Sequence, residues 1–227
     1  MARTKRARYV VQRLTPAKIV QKQVHRRLFR RFADKLGFVY FGYVDQHDDE
    51  HRLIRGVTVS PSHRDDHYCI GTYHGYDIAV CERTDIIHQP GLKSEYQTWL
   101  IVTADLHQSS DVPHIFIGAE GLSAGFYRLM QTKFPQLHRV YFGGVAPYDP
   151  RFVERFSFYA APTHSIAAEK LFGGELNTML VEHFVGFSFE VHESTLYVYA
   201  LDRRPTAALL AQMLQCAAWL ANEIDRH

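Results

Sequence analysis

The chain has 227 residues, of which 46% are hydrophobic, 13% are aromatic and 22% are charged. This composition is that of a globular protein with a large core, and it excludes a disordered chain, a collagen-like fibre and a disulfide-stabilised scaffold. The formal net charge of +2 conceals an uneven distribution, because residues 1–31 contain eleven Lys and Arg and no acidic residue, whereas residues 32–227 contain 15 basic and 24 acidic residues.

The first predicted element is a basic amphipathic helix over residues 16–36. Thr15 is suited to cap it, Pro16 to occupy its first position, and Gly37 to end it. Apolar residues recur every four positions and predict a buried stripe. These residues are Val20, Val24, Leu28, Phe32 and Leu36. Basic residues at the same spacing form a second row, which comprises Lys18, Lys22, Arg26 and Arg30.

After Gly37, short segments rich in aromatic and β-branched residues predict β-strands. These segments are 38–44, 52–59, 68–73, 76–82, 96–105 and 113–118. The dipeptide His74-Gly75 predicts a tight turn between two of them. A helix is predicted to follow Ser123 and to reach residue 134, because apolar side chains recur there at helical spacing.

In the second half of the chain, the residue pattern predicts a strand, then several helices and then a hairpin. The strand covers 155–160, the helices cover 165–172 and 175–184, and the hairpin lies within 187–201. The last helix begins after Pro205 and carries an apolar stripe that should face the core. The stripe includes Leu210, Met213, Leu214 and Leu220.

The short connections between neighbouring strands favour antiparallel pairing, because parallel strands need long crossovers. We therefore predict an α+β fold, in which helices pack on one face of an antiparallel sheet. The predicted organisation is a basic arm with a helix over 1–36, a first subdomain over 37–146 and a second over 147–227. One continuous domain over the last two segments is the alternative.

Three stretches of the chain resemble an uncharacterised bacterial domain-of-unknown-function family. They are the sequence DHYCIGTYHGYD at 66–77, the sequence FVERFSFYA at 152–160 and the sequence LYVY at 196–199. The resemblance extends over about residues 38–201, and many members of that family carry membrane helices before a soluble α+β part. It implies the same fold class and supplies no catalytic residues.

Two histidine pairs have the spacing that places two imidazoles on one face of a helix and so can bind zinc. They are His47 with His51, and His63 with His67. Both pairs fall between predicted strands, where helical geometry is absent. We therefore predict a polar turn and no tetrahedral metal site at these four histidines.

A further polar group follows a predicted strand and can orient a base or hold a metal, although it equally suits a polar loop. It comprises Asp105, His107, Asp111 and His114. The three cysteines form no CxxC pair and lie in apolar patterns, which is typical of small buried side chains. They are Cys69, Cys81 and Cys216. We assign no catalytic residue, no cofactor and no metal ligand from the sequence.

The basic N-terminal segment is the candidate binding surface, because its cations can contact an anion or an acidic partner. Its candidate contact residues are Arg3, Lys5, Arg6, Arg8, Lys18, Lys22, Arg26 and Arg30. The sequence favours a non-enzymatic interaction module with an unidentified protein partner. Binding of nucleic acid or of an anionic membrane through residues 1–31 is one alternative, and a metal-dependent hydrolase that uses the His/Asp loops is another.

No apolar run is long enough to predict a transmembrane helix, and residues 1–31 lack the apolar centre of a secretory signal. We therefore expect a cytoplasmic protein, with peripheral attachment to a membrane through the basic segment as the alternative.

Overall fold

The computed structural model describes residues 16–42, 56–58, 63–87, 95–107 and 112–226. Within these ranges there are six α-helices and nine β-strands. The helices are α1 (Pro16–Leu36), α2 (Ala124–Lys133), α3 (Pro150–Arg155), α4 (Ser165–Phe172), α5 (Glu175–His183) and α6 (Ala207–Ile224). The strands are β1 (Val39–Tyr40), β2 (Arg64–Tyr73), β3 (Tyr76–Ile87), β4 (Glu95–Asp105), β5 (Ile115–Ala119), β6 (His138–Arg139), β7 (Phe156–Ala160), β8 (Ser188–His192) and β9 (Thr195–Leu201).

All nine strands join one antiparallel sheet in the order β1-β2-β3-β4-β9-β8-β5-β7-β6. The predicted α+β class with an antiparallel sheet is therefore confirmed. The turn between β2 and β3 is the predicted one, since His74 and Gly75 both have positive φ, at 51° and 88°. Two positive φ angles in succession match the twist of a two-residue hairpin.

Helices cover both faces of the sheet. On β4, Leu100 and Val102 face a core shared with α1, α3, α4, α5 and α6, whereas Trp99 and Ile101 face the opposite side. Five helices pack on the first face, as predicted. The sixth, α2, packs its Phe126 against the second face.

Helix α6 is packed as its pattern predicts. The side chains of Leu210, Met213 and Leu220 are 0% exposed and that of Leu214 is 2% exposed. Thr206 caps the helix, because its side-chain oxygen accepts a hydrogen bond from the backbone N–H of Leu209 at 3.1 Å.

Helix α1 has the predicted bounds, but only part of the predicted stripe is buried. Phe29 and Phe32 lie in the core, while Val20 and Val24 are 62% and 45% exposed. An α-helix has 3.6 residues per turn, so each step of four residues advances about 40° around the axis. The row that begins at Val20 therefore winds away from the face that Phe32 buries. Gly37, with φ of 73°, ends the helix as predicted.

The strands at the sheet edge differ from the prediction. Strand β1 covers only Val39–Tyr40, and the described part of the predicted 52–59 strand, residues 56–58, forms a turn. Strand β2 begins at Arg64, four residues earlier than predicted. His67 therefore lies within a strand, and the prediction of a turn over His63–His67 is wrong.

The two predicted subdomains contribute interleaved strands to the single sheet. Strand β9, from the second segment, pairs with β4 from the first, and β5 from the first segment lies between β8 and β7 from the second. The boundary near residue 147 stays a prediction, and this interleaving favours the alternative of one continuous domain.

Candidate functional site

The structure places the basic row of α1 along the β1–β2 edge of the sheet. Lys22 Nζ lies 3.5 Å from Asp66 Oδ1, and the Arg30 guanidinium lies 5.9 Å from the centre of the Tyr40 ring. Arg26 is exposed on the same helix. The other predicted contact residues lie outside the described residues, or, for Lys18, have a side chain outside them. These residues are Arg3, Lys5, Arg6, Arg8 and Lys18.

The predicted His/Asp groups do not assemble among the described residues. His47, His51 and Asp111 lie outside these residues. Asp105 accepts a hydrogen bond from Thr195, at 3.2 Å, and the backbone N–H of His107 donates to Asp225, also at 3.2 Å. His114 instead lies 2.8 Å from Glu190. The hypothesis of a hydrolase that uses these loops stays a prediction.

A different polar cluster lies beneath α1, where His25 from α1 meets His67 from β2 and Glu82 from β3. His25 Nδ1 is 3.0 Å from Glu82 Oε2, and His67 Nε2 is 3.9 Å from the same oxygen. One donor atom from each of the three residues lies within 4.8 Å of the other two. We call this group the His25–His67–Glu82 cluster.

A β-bulge in β2 positions His67. Asp66 pairs with Glu82 and Cys69 with Val80, so two residues of β2 oppose one residue of β3. His67 occupies the bulge with φ of 61°, a left-handed conformation that is costly for residues other than glycine. The backbone N–H of His67 donates to the carbonyl oxygen of Gly42, which ties the bulge to the chain after β1.

The cluster is almost closed to solvent. His25 and His67 are 5% and 4% exposed, and the side chain of Glu82 is 15% exposed. The Phe29 ring stacks on His67 with 5.1 Å between centroids, and Tyr40 Oη lies 2.9 Å from His67 Nδ1. Burial lowers the pKa of His67, an effect that the attraction of Glu82 only partly offsets. The imidazole of His67 is therefore held in its neutral form at neutral pH.

Sequence reasoning predicted His67 as a turn residue and missed its two partners. A signal for Glu82 existed, because Ile78, Val80 and Glu82 alternate on the face of β3 that packs against the helices. His25 likewise lies one helical turn before the buried Phe29. The sequence signal for this cluster is a titratable residue at a core-facing position of a helix, His25, together with another at a core-facing position of a strand, Glu82.

The opposite face of the sheet holds another carboxylate with several hydrogen-bond donors, that of Glu190. It accepts hydrogen bonds from Tyr199 Oη at 2.6 Å and from the backbone N–H of Val57 at 2.8 Å, in addition to its contact with His114. The alternation along β8 places Glu190 away from the larger core. It is nevertheless 1% exposed, because α2 and residues 56–58 cover this face.

Neither Cys69 nor the groove beside α6 adds a reactive centre to the His25–His67–Glu82 cluster. Burial raises the pKa of Cys69 to about 12, so this thiol is not activated. A groove of about 480 Å³ lies between the β2–β3 turn and α6, where Tyr73, Tyr76 and Trp219 line it. This groove does not include the cluster residues.

Comparison with known proteins shows a shared fold. The crystal structure of the mycobacterial trehalose monomycolate transport factor A, TtfA, matches with a TM-score of 0.61 and 13% sequence identity, over 88% of this chain and 93% of that chain. No protein-family model matches the chain, and neither does any curated protein sequence. The resemblance to the domain-of-unknown-function family stays a prediction. Among the described residues, no helix is long and apolar enough to cross a membrane.

Proposed function

We propose that this protein is a non-enzymatic interaction module that binds an acidic protein partner through the outer face of α1. The observation that carries the proposal is the set of exposed cations on this helix. They are Lys22, Arg26, Arg27, Arg30, Arg31 and Lys35. The exposed Asp34 is the single acidic residue of α1, so the positive charge of this face is largely uncompensated within the helix.

The apolar part of this face favours a protein partner over a membrane. Helices that lie in a membrane surface present Trp, Phe or Leu to the lipid. In α1, Phe29 and Phe32 face the protein core, and among the side chains that the structure describes in this helix the large apolar ones that are exposed are Val20 and Val24. Two valines among cations fit an acidic protein surface that offers a small apolar spot.

The same face is less suited to nucleic acid. Single-stranded nucleic acids are held by aromatic side chains on which bases stack, and the exposed residues of α1 between 20 and 36 include no aromatic ring. Contacts with phosphates alone remain the competing hypothesis. TtfA is, by its name, a transport factor, and an accessory role beside a transport system is one setting in which a module of this kind would act.

The test compares binding of three defined probes by the full-length protein. The probes are a glutamate–tyrosine copolymer, duplex DNA and vesicles that contain anionic lipid. We expect the acidic polypeptide to bind most tightly at low salt. The variant Arg27→Glu/Arg31→Glu should weaken this binding roughly tenfold, because two favourable charge contacts become repulsive.

The matched control is Lys170→Glu/Arg204→Glu, which changes the net charge equally at exposed positions away from α1. It should bind the acidic polypeptide nearly as the wild type does. Tighter binding to DNA or to vesicles would replace the proposal with the corresponding alternative. Equal loss of binding in both double variants would show that total charge, rather than the α1 face, is responsible.

A further inference from the structure

The donor atoms of the His25–His67–Glu82 cluster lie at separations close to those of a metal site. A tetrahedral zinc ion with bonds of about 2.0–2.1 Å has ligand atoms about 3.3–3.4 Å apart. The two separations that involve Glu82 Oε2 are 3.0 Å and 3.9 Å, and no pair of donor atoms exceeds 4.8 Å. Small side-chain rotations are therefore sufficient to direct all three donors to one centre.

The buried imidazole of His25 has an unused donor atom. Its Nδ1 contacts Glu82, while its Nε2 is buried and has no hydrogen-bond partner among the described residues. A buried polar atom without a partner is destabilising. Rotation of the ring by half a turn exchanges Nδ1 with Cδ2 and Nε2 with Cε1, so either nitrogen of His25 can be the one that is directed to the side of the ring on which Glu82 lies.

Tyr40 provides the outer contact that metal-binding histidines usually have. When His67 Nδ1–H donates to the oxygen of Tyr40, at 2.9 Å, the tautomer is fixed and Nε2 keeps its lone pair toward Glu82.

Charge balance also favours a cation at this place. Asp66 and Glu82 are directly opposite each other on β2 and β3, and like charges in this arrangement are destabilising. Asp66 is neutralised by Arg64 at 2.9 Å and by Lys22 at 3.5 Å. Glu82, in contrast, has the two histidines as its close polar neighbours.

From these observations we infer that His25, His67 and Glu82 bind one divalent transition-metal ion of the zinc class, which joins α1 to the β2–β3 hairpin. Two imidazoles and a carboxylate are a donor set that zinc accepts. Both histidines are almost fully buried, and the ion would join two elements, so we assign it a structural role. This inference is independent of the proposed function, because metal binding is measured without any partner.

The experiment uses the full-length protein without a histidine tag and with Zn²⁺ alone as the probe. Titration calorimetry on metal-free protein at pH 7.5 should show one equivalent of zinc bound per chain. The variants His25→Gln and Glu82→Gln should each weaken this binding by more than about tenfold. Tyr40→Phe, which leaves the three donors in place, should weaken it roughly tenfold and His138→Gln not at all. His138 lies exposed on β6, at the other edge of the sheet.

Two further measurements keep the inference falsifiable. Circular dichroism verifies that each variant is folded, and NMR of the wild-type histidine side chains needs no variant. Zinc should shift the ring resonances of His25 and His67 together at one equivalent. Binding that is unchanged in both donor variants, shifts confined to other histidines, or no stoichiometric binding by the wild type would each overturn the inference.

Discussion

Several buried ionisable side chains of the described residues lie in hydrogen-bonded pairs or networks. Arg83 is fully buried, and its Nε and Nη2 each donate to Asp65 at 2.6 Å. Loss of one partner from such a pair typically costs about 3–5 kcal/mol, because the remaining charge is left buried. Glu169 is held differently, since four successive backbone N–H groups donate to its Oε1. Burial tends to raise the pKa of Glu169, but these donors prevail and lower it.

Because two buried histidines have lowered pKa values, we predict that the free energy of unfolding decreases at mildly acidic pH. Burial lowers the pKa values of His67 and His192 below the ordinary 6.5. Just below pH 6.5 the unfolded chain therefore binds more protons than the folded one, and the free energy of unfolding decreases as the pH falls. Well above pH 6.5 both states are neutral at these sites, so this contribution to stability is fully present there.

Urea unfolding between pH 7.5 and 5.5 measures this dependence. The variant His67→Asn/His192→Gln should show a shallower decrease in the free energy of unfolding than the wild type, and Asn tolerates the positive φ at residue 67. His138→Gln, at an exposed site, should retain the wild-type slope. An unchanged slope in the double variant would assign the pH dependence to other groups.

At the scale of elements, the helices differ in how much of their apolar surface the sheet covers. In α6, the apolar stripe is buried along the whole helix, whereas α1 buries its second half and leaves Val20 and Val24 exposed. Periodicity predicted both helices and their ends. It did not predict which side of α1 is covered, because that depends on the short β1 strand and the bulge in β2, against which α1 packs.

Leu214→Ala should destabilise the protein by about 2–5 kcal/mol. The reason is that this 2%-exposed side chain leaves a cavity where α6 meets the sheet. The control on the same helix is Gln215→Ala, an exposed position where a change of no more than about 0.5 kcal/mol is expected. Chemical denaturation gives both values. Similar small effects of the two substitutions would contradict the packing of α6.

At the scale of the whole molecule, the sheet joins the segments 37–146 and 147–227. Strand β4 pairs with β9 across seven residue pairs, from Trp99–Leu201 to Asp105–Thr195. Strand β5 pairs with both β7 and β8. Each segment therefore buries its strands against the other, and neither has a complete sheet of its own.

This arrangement predicts that the two segments unfold in one transition. The two tryptophans, Trp99 in β4 and Trp219 in α6, report on one segment each. In each of the variants Trp219→Phe and Trp99→Phe, the fluorescence of the remaining tryptophan reports on one segment. Its unfolding transition in denaturant should coincide with the circular dichroism transition of the same variant. Trp99 Nε1 has no hydrogen-bond partner within the described residues, so its replacement loses no such bond. A fluorescence midpoint that departs from the circular dichroism midpoint would support two subdomains.

The sequence by itself determined most element types, the hairpin turn at His74-Gly75, both long helices and the antiparallel class. These features arise from interactions between residues close in the chain, which periodicity, caps and turn residues record directly. The polar cluster was different. His25 and Glu82 are separated by 57 residues, and their meeting depends on the side of α1 that packs inward and on one extra residue in β2. Only the tertiary structure decided those points, because the free energy of burial depends on contacts between elements that no local pattern encodes.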